Sequence, residues 1–251
     1  MKPRPNLLAG EDLPPEPRQK RSLLKRGRLK EAGLGLFGER GYGESSVDDV
    51  ARRAKLPVGT FYQHFRSKRQ LLIVLMDDLL EGLGRLNLEP RRPPSVRAGL
   101  REMLASAFSR DLRYLGAYRA WQEAVLSDPG LAQKQREIHA WTTARVTRVF
   151  DLLRRHPGAR SGVDIPGLAR AMDVFFWSLL ARAVHMSEAE LERWIDSATH
   201  LIYHAIFEDE PEGGGAKSTG SRKAGSPRSG PRSGTAGAAR ERSPGSSEGD
   251  R

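Results

Sequence analysis

The 251-residue sequence contains no cysteine. That excludes disulfide bonds, thiol nucleophiles and cysteine-ligated metals, and it removes the most direct indicator of redox compartment. No HExxH motif is present either. The usual catalytic constellations are missing, so no catalytic residue, metal or cofactor is expected. No run approaches eighteen consecutive apolar residues, which excludes a membrane-spanning helix. Alternating β-branched segments are lacking as well, and the runs of helix formers point to an all-α protein.

What is present is positive charge, unevenly placed. The formal net charge is +11. Between Arg18 and Gln70 there are 14 lysines and arginines against 5 acids, whereas residues 71–210 have 18 against 19. A basic surplus confined to one segment is the electrostatic footprint of a nucleic-acid partner. With 38% apolar residues, a chain of this length can bury two modest cores.

Within the basic segment, Ser45–Leu72 reads SSVDDVARRAKLPVGTFYQHFRSKRQLL. Ser46 is a good N-cap, and Val47, Val50, Ala51 and Ala54 recur at helical spacing. Asp48 and Asp49 occupy the first turn, where the helix dipole favours acids. Lys55-Leu56-Pro57 breaks this helix, with Leu56 as a buried plug and Pro57 pre-set for the start of the next. Val58–Phe65 is the second helix, and Ser67 caps a third. Two short helices joined by a tight turn are the pattern of a helix-turn-helix DNA reader.

The core Gly59-Thr60-Phe61-Tyr62-Gln63-His64-Phe65, followed by Arg66, Ser67 and Lys68, resembles the TetR/AcrR-type transcriptional regulators. Lys55 stands where that family usually has glycine, and Pro57 where it has a small hydroxylated residue. A lysine forced to positive φ costs about 1 kcal/mol. The resemblance implies an N-terminal three-helix helix-turn-helix domain and a C-terminal helical ligand-binding and dimerisation domain. It assigns Tyr62, His64 and Lys68 to backbone phosphates, roles that their polar tips also suit. Ser46 and Thr60 are further phosphate candidates through their hydroxyls. Base reading then falls to Val58 and Gln63, with Gly59 letting the backbone approach closely. Phe61 and Phe65 are expected in the core.

The expected organisation is a disordered arm over 1–17, the reader over 18–66, a regulatory and dimerisation domain over 67–210, and a disordered basic tail over 211–251. Helices are expected near 18–40, 67–88, 95–108, 111–126, 129–156, 167–186 and 187–207, with a loop at Ser161–Pro166. Gly33, Gly35 and Gly38 in the first of these suggest close helix packing. On the last two helices, Leu168, Met172, Phe175, Phe176, Leu179 and Ala183 face Leu191, Trp194, Ile195, Ala198, Leu201, Ile202 and Ile206 as wide apolar stripes. The resemblance pairs those helices with a second copy, as a palindromic operator requires.

The resemblance also places a small-molecule cavity in the C-terminal region. Its candidates are Tyr114, Tyr118, Trp121, His139, Trp141, Arg145, Phe176, Trp177 and His185, an aromatic set with a few polar tips. Arg145 is suited to a carboxylate on a lipophilic effector. The functional expectation is a cytoplasmic, homodimeric, ligand-responsive repressor on a double-stranded DNA operator. An activator and a ligand-independent architectural DNA binder are the alternatives.

Overall fold

The computed structural model describes residues 3–85, 95–111, 114–183 and 186–208; among these the regular elements are nine helices, with no strand. The reader comprises α1 (Lys20–Arg40), α2 (Val47–Arg53) and α3 (Val58–His64), and α4 (Lys68–Gly84) leads out of it. The remainder comprises α5 (Val96–Asp111), α6 (Leu115–Val125), α7 (Pro129–Leu153), α8 (Ile165–Ala183) and α9 (Glu188–Ile206). The expected basic tail at 211–251 and His185 lie outside the described residues.

Side-chain caps fix most of the helix starts. Ser46 with Asp49, and Ser187 with Glu190, form reciprocal capping boxes. Ser67, Ser95 and Asp128 each accept from the backbone N–H three residues on, and Pro129 sits in the first turn of α7. These bonds satisfy donors that a helix start leaves open. α8 begins two residues earlier than expected. Asp164 accepts from Gly167 N–H, Ile165 is buried, and Pro166 is tolerated because a first-turn residue needs no N–H. α6 starts at Leu115 rather than near Asp111, and α4 stops at Gly84.

Two apolar clusters form, and they cut across the expected reader boundary. The larger runs from Leu29, Phe37, Phe61 and Phe65 through Leu71–Leu80 of α4 to Trp121, Ile138, Trp141 and Trp177. The smaller joins Leu100 of α5 to Val149 and Phe150 of α7, Ala169 of α8, and Ile202 and Ile206 of α9. α4 is therefore a shared wall of the reader and the helices behind it.

The α1 glycines mark close contacts. Gly38 meets Gly116 of α6, where an added Cβ would lie 2.3 Å from the Leu34 carbonyl oxygen and 2.6 Å from Gly38 N. Any side chain at 116 would drive the two helices apart.

Residues 3–17, expected as a disordered arm, are packed. Leu7 is fully buried, and Lys134 of α7 donates to the Leu7 and Ala9 carbonyls. Arg4 pairs with Asp77 at 2.7 Å; Glu11 pairs with Arg69, which also holds Asp128, and the Gln70 amide donates to Asp12 O. The five prolines gave this segment a disorder-like composition, but buried Leu7, with Leu8 and Leu13 packed on the same core, and a set of ion pairs to α4 and α7 hold it.

Candidate nucleic-acid interface and ligand cavity

The turn between α2 and α3 is pinned from α1. Arg28 donates to the Ala54 and Lys55 carbonyls, and Arg53 makes a two-pronged pair with Glu39, both contacts at 2.6 Å. Lys55 takes φ 54°, the left-handed conformation anticipated at this position, and Leu56 N–H returns to Ala51 O. Phe61 and Phe65 are fully buried, with ring centroids 5.5 Å apart, and seat α3 against the domain.

The opposite side of α3 faces solvent. Gly59, Tyr62 and Gln63, at i, i+3 and i+4, share that face, flanked by exposed Pro57 and Arg66, with Val58 half-buried beside them. Tyr62 is 49% exposed despite its size. A Cβ added at Gly59 would meet nothing of this chain within 4 Å. The fold itself gives no reason for glycine at that helical position.

Three of the expected phosphate contacts are turned inward. Thr60 and His64 are buried. Burial, then the positive charges of Arg26 and Lys25, hold the His64 pKa below the ordinary imidazole value, and its Nε2 has no partner among the described residues. Lys68 points back to the end of α1: its ammonium donates to the Tyr42 and Ser45 carbonyls at 2.5 and 2.6 Å and lies 4.2 Å from the Tyr42 ring centroid. Burial lowers the Lys68 pKa against the opposing pull of Glu123 and Glu44. None of these three side chains projects from the reader in this structure. Ser46 is exposed, and its hydroxyl serves the α2 capping box.

A second feature lies among α4, α5, α7, α8 and α9, a cavity of about 120 Å³. Of the residues expected to line one, Trp141, Arg145 and Phe176 do so. Tyr118, Trp121 and Trp177 are buried in the packed interior outside its lining, and half-buried His139 does not line it either. Tyr118 stacks on Trp177 with centroids 4.8 Å apart, and burial, with the Asp173 charge, pushes the phenol pKa up. Trp177 Nε1 donates to Thr142 Oγ1, and Trp121 Nε1 to Gln135 Oε1. Sequence reasoning missed the aliphatic and thioether wall, Met103, Leu104, Val149 and Met172 among it, and it missed Asp173. Apolar spacing marks such residues as interior; only packing tells a cavity wall from a filled core.

Two short helices, a pinned turn and an exposed face on the second helix, within a segment of basic surplus, define a helix-turn-helix DNA-binding module. Residues 29–75 match the family model for bacterial regulatory proteins, tetR family. The HTH-type transcriptional repressor DhaR of Mycobacterium sp. (strain GP1) is 40% identical over 76 residues, which cover 29% of this chain and 38% of that protein. The HTH-type transcriptional regulator EthR of Mycolicibacterium smegmatis is 27% identical over 215 residues, covering 78% of this chain and 95% of the relative. The solved SmeT–triclosan complex shares the fold, with a TM-score of 0.57 and 21% identity over 74% of this chain and 92% of that one. Over residues 29–75 the chain is thus similar to the DNA-binding domain of the TetR family.

Proposed function

We propose that this protein is a sequence-specific, DNA-binding transcriptional regulator that works in the cytoplasm as a homodimer and answers to a small molecule. One observation carries the reading: α3 presents Gly59, Tyr62 and Gln63 to solvent, with open space where the Gly59 side chain would be. An unexplained glycine on an exposed helix face is accounted for by a surface outside the chain that must come close, and the local +9 balance makes that surface a phosphate backbone. Gln63 then reads bases, Val58 sits at the edge of the contact, and Tyr62 and Ser46 reach phosphates. Thr60, His64 and Lys68 act from behind, holding α3 and the start of α4 in register.

Dimerisation is supported by what α8 and α9 leave uncovered. Leu179, Ala183, Leu191, Ile195, Ala198, Ile202 and Ile206 are buried within the protomer, whereas Val174, Trp194 and Leu201 are exposed. Trp194 packs on half-buried Phe175 with ring centroids 5.8 Å apart, so these residues form a patch suited to a second copy. A two-fold pair would set two α3 helices about 34–36 Å apart, one turn of a palindromic operator.

The two ends of α4 link the cavity to the reader. Lys68 at its start holds the Tyr42–Ser45 turn, and Leu83 near its end lines the cavity and accepts from Arg145. A ligand that shifts the Leu83 end tilts a rod of about 25 Å whose other end carries the reader. The division proposed is thus a reader over 18–66 and a regulatory domain over 67–210, with α4 as the lever. Release from the operator by ligand makes the protein a repressor where the operator overlaps a promoter; an activator differs only in where the operator lies. The SmeT–triclosan complex supports small-molecule binding on this fold.

Selection from a random pool of double-stranded DNA by the purified chain tests this reading. One inverted repeat is expected, with Gln63→Ala changing the preferred bases inside each half-site. Salt-sensitive binding without a motif would instead establish an architectural DNA binder.

A further inference from the structure

We infer that the cavity selects a lipophilic amine, with Asp173 as the residue that holds its ammonium group. The inference rests on the regulator reading for its purpose, and on a chain of hydrogen bonds for its chemistry. Trp121 Nε1 is a donor only, so Gln135 must turn its oxygen to it and its amide N–H₂ toward His139 Nε2. That nitrogen therefore accepts. His139 Nδ1 is then the donor, and it gives its proton to Asp173 Oδ2 at 2.7 Å. Each link has one polarity, and the chain ends on a carboxylate that is 3% exposed.

The other oxygen of that carboxylate, Oδ1, is buried and has no partner among the described residues. Asp173 lines the cavity. An unmatched buried acceptor is costly to keep, and a donor from outside the chain meets the need once the wall yields enough to admit it. The rest of the wall favours a cation as that donor. Phe108, Trp141 and Phe176 line it with aromatic rings, Phe108 and Phe176 centroids lying 5.2 Å apart, and the remaining lining is largely aliphatic. Arg145 is already committed, donating to Leu83 O with its guanidinium 5.0 Å from the Trp141 ring centroid. A carboxylate ligand placed at Arg145 would share the cavity with Asp173. The volume, about 120 Å³, approaches the roughly 150 Å³ that accommodates a benzene ring. A single ring bearing an aminomethyl arm matches the polarity and is the upper limit of size that the half-open cavity could take.

The test is calorimetric titration of the full chain with benzylamine, benzyl alcohol and benzoate, which share a ring and differ in the polar group. Benzylamine is expected to bind roughly tenfold or more tightly than the other two, and Asp173→Asn to erase that advantage. Asparagine keeps the size and can still accept from His139. Equal or tighter binding of benzyl alcohol or benzoate by the unaltered chain overturns the inference, and this ranking decides the matter even if the variant does not fold. An amine preference that persists in Asp173→Asn overturns it too. A chain that selects an inverted repeat but shows no amine preference loses this inference and keeps the regulator reading. A chain that prefers the amine but selects no DNA motif keeps the site and loses the reading.

Discussion

Replacing Gly59 by alanine should separate stability from DNA binding in opposite directions. Gly59 is the second residue of the seven-residue α3, and it is not among the residues at positive φ. Glycine in an exposed helical position is less favourable than alanine by about 1 kcal/mol, because it loses more backbone freedom on folding. The usual counterweight, a clash of the new methyl, is absent here, since no atom of the chain lies within 4 Å of the Cβ position. The fold should therefore gain about 0.5–1 kcal/mol, which for a chain of this size raises the unfolding midpoint by about 1–4 °C. On DNA the same methyl stands at the point of closest approach. Overpacking a tight contact costs about 1–3 kcal/mol, so operator affinity should fall roughly tenfold or more. Thermal unfolding and fluorescence anisotropy with the selected operator read the two effects on one preparation. A variant that gains stability and binds the operator unchanged would refute the placement of Gly59 at the DNA. One that loses stability would refute the open space around it.

Two further outcomes test the packing behind the reader. Leu7→Ala should destabilise the protein by about 2–5 kcal/mol in urea unfolding, the cost of emptying a fully buried leucine site; a change near zero would return residues 3–17 to the status of a loose arm. Asp128 caps α7 and takes a 2.6 Å contact from Arg69, whose hydrogen bond is the main cause holding the carboxyl below its ordinary pKa. An acid depressed in the folded state stabilises at neutral pH, and the contribution is lost as pH falls through its folded pKa, below the usual carboxylate range. Asp128→Ala should thus cost about 1 kcal/mol at pH 7, and the gap between variant and parent should narrow toward pH 3. A gap independent of pH would remove Asp128 and Arg69 from the acid response.

The reader was legible in the primary structure because its determinants are local. Ser46, Asp49 and Ser67 act on backbone groups three residues away, Lys55-Leu56-Pro57 marks the turn by its own conformational preferences, and Phe61 and Phe65 fall on one face by spacing alone. The same short range made Ser187 readable as a helix start. The ligand cavity was legible only in part, through Trp141, Arg145 and Phe176, because apolar periodicity identifies an inward face and is silent on whether the space opposite is filled.

Direction in three dimensions is what the order of residues left open. Thr60, His64 and Lys68 carry polar groups in a DNA-reading motif, yet the packing of α1 and the Tyr42–Ser45 turn against α3 and α4 draws them inward. Leu7 is one of a few apolar residues in a proline-rich stretch, and only the folded core gives it a place to be fully buried. Asp173 has no distinction along the chain; His139, 34 residues away, takes one of its oxygens, and the cavity leaves the other without a partner. The sequence by itself determined the helices, their caps, the reader and its charge, since those follow from neighbours within a few residues. The tertiary structure decided which polar side chains face solvent, which support from behind and which line a cavity, since those depend on elements that meet only when the chain has folded.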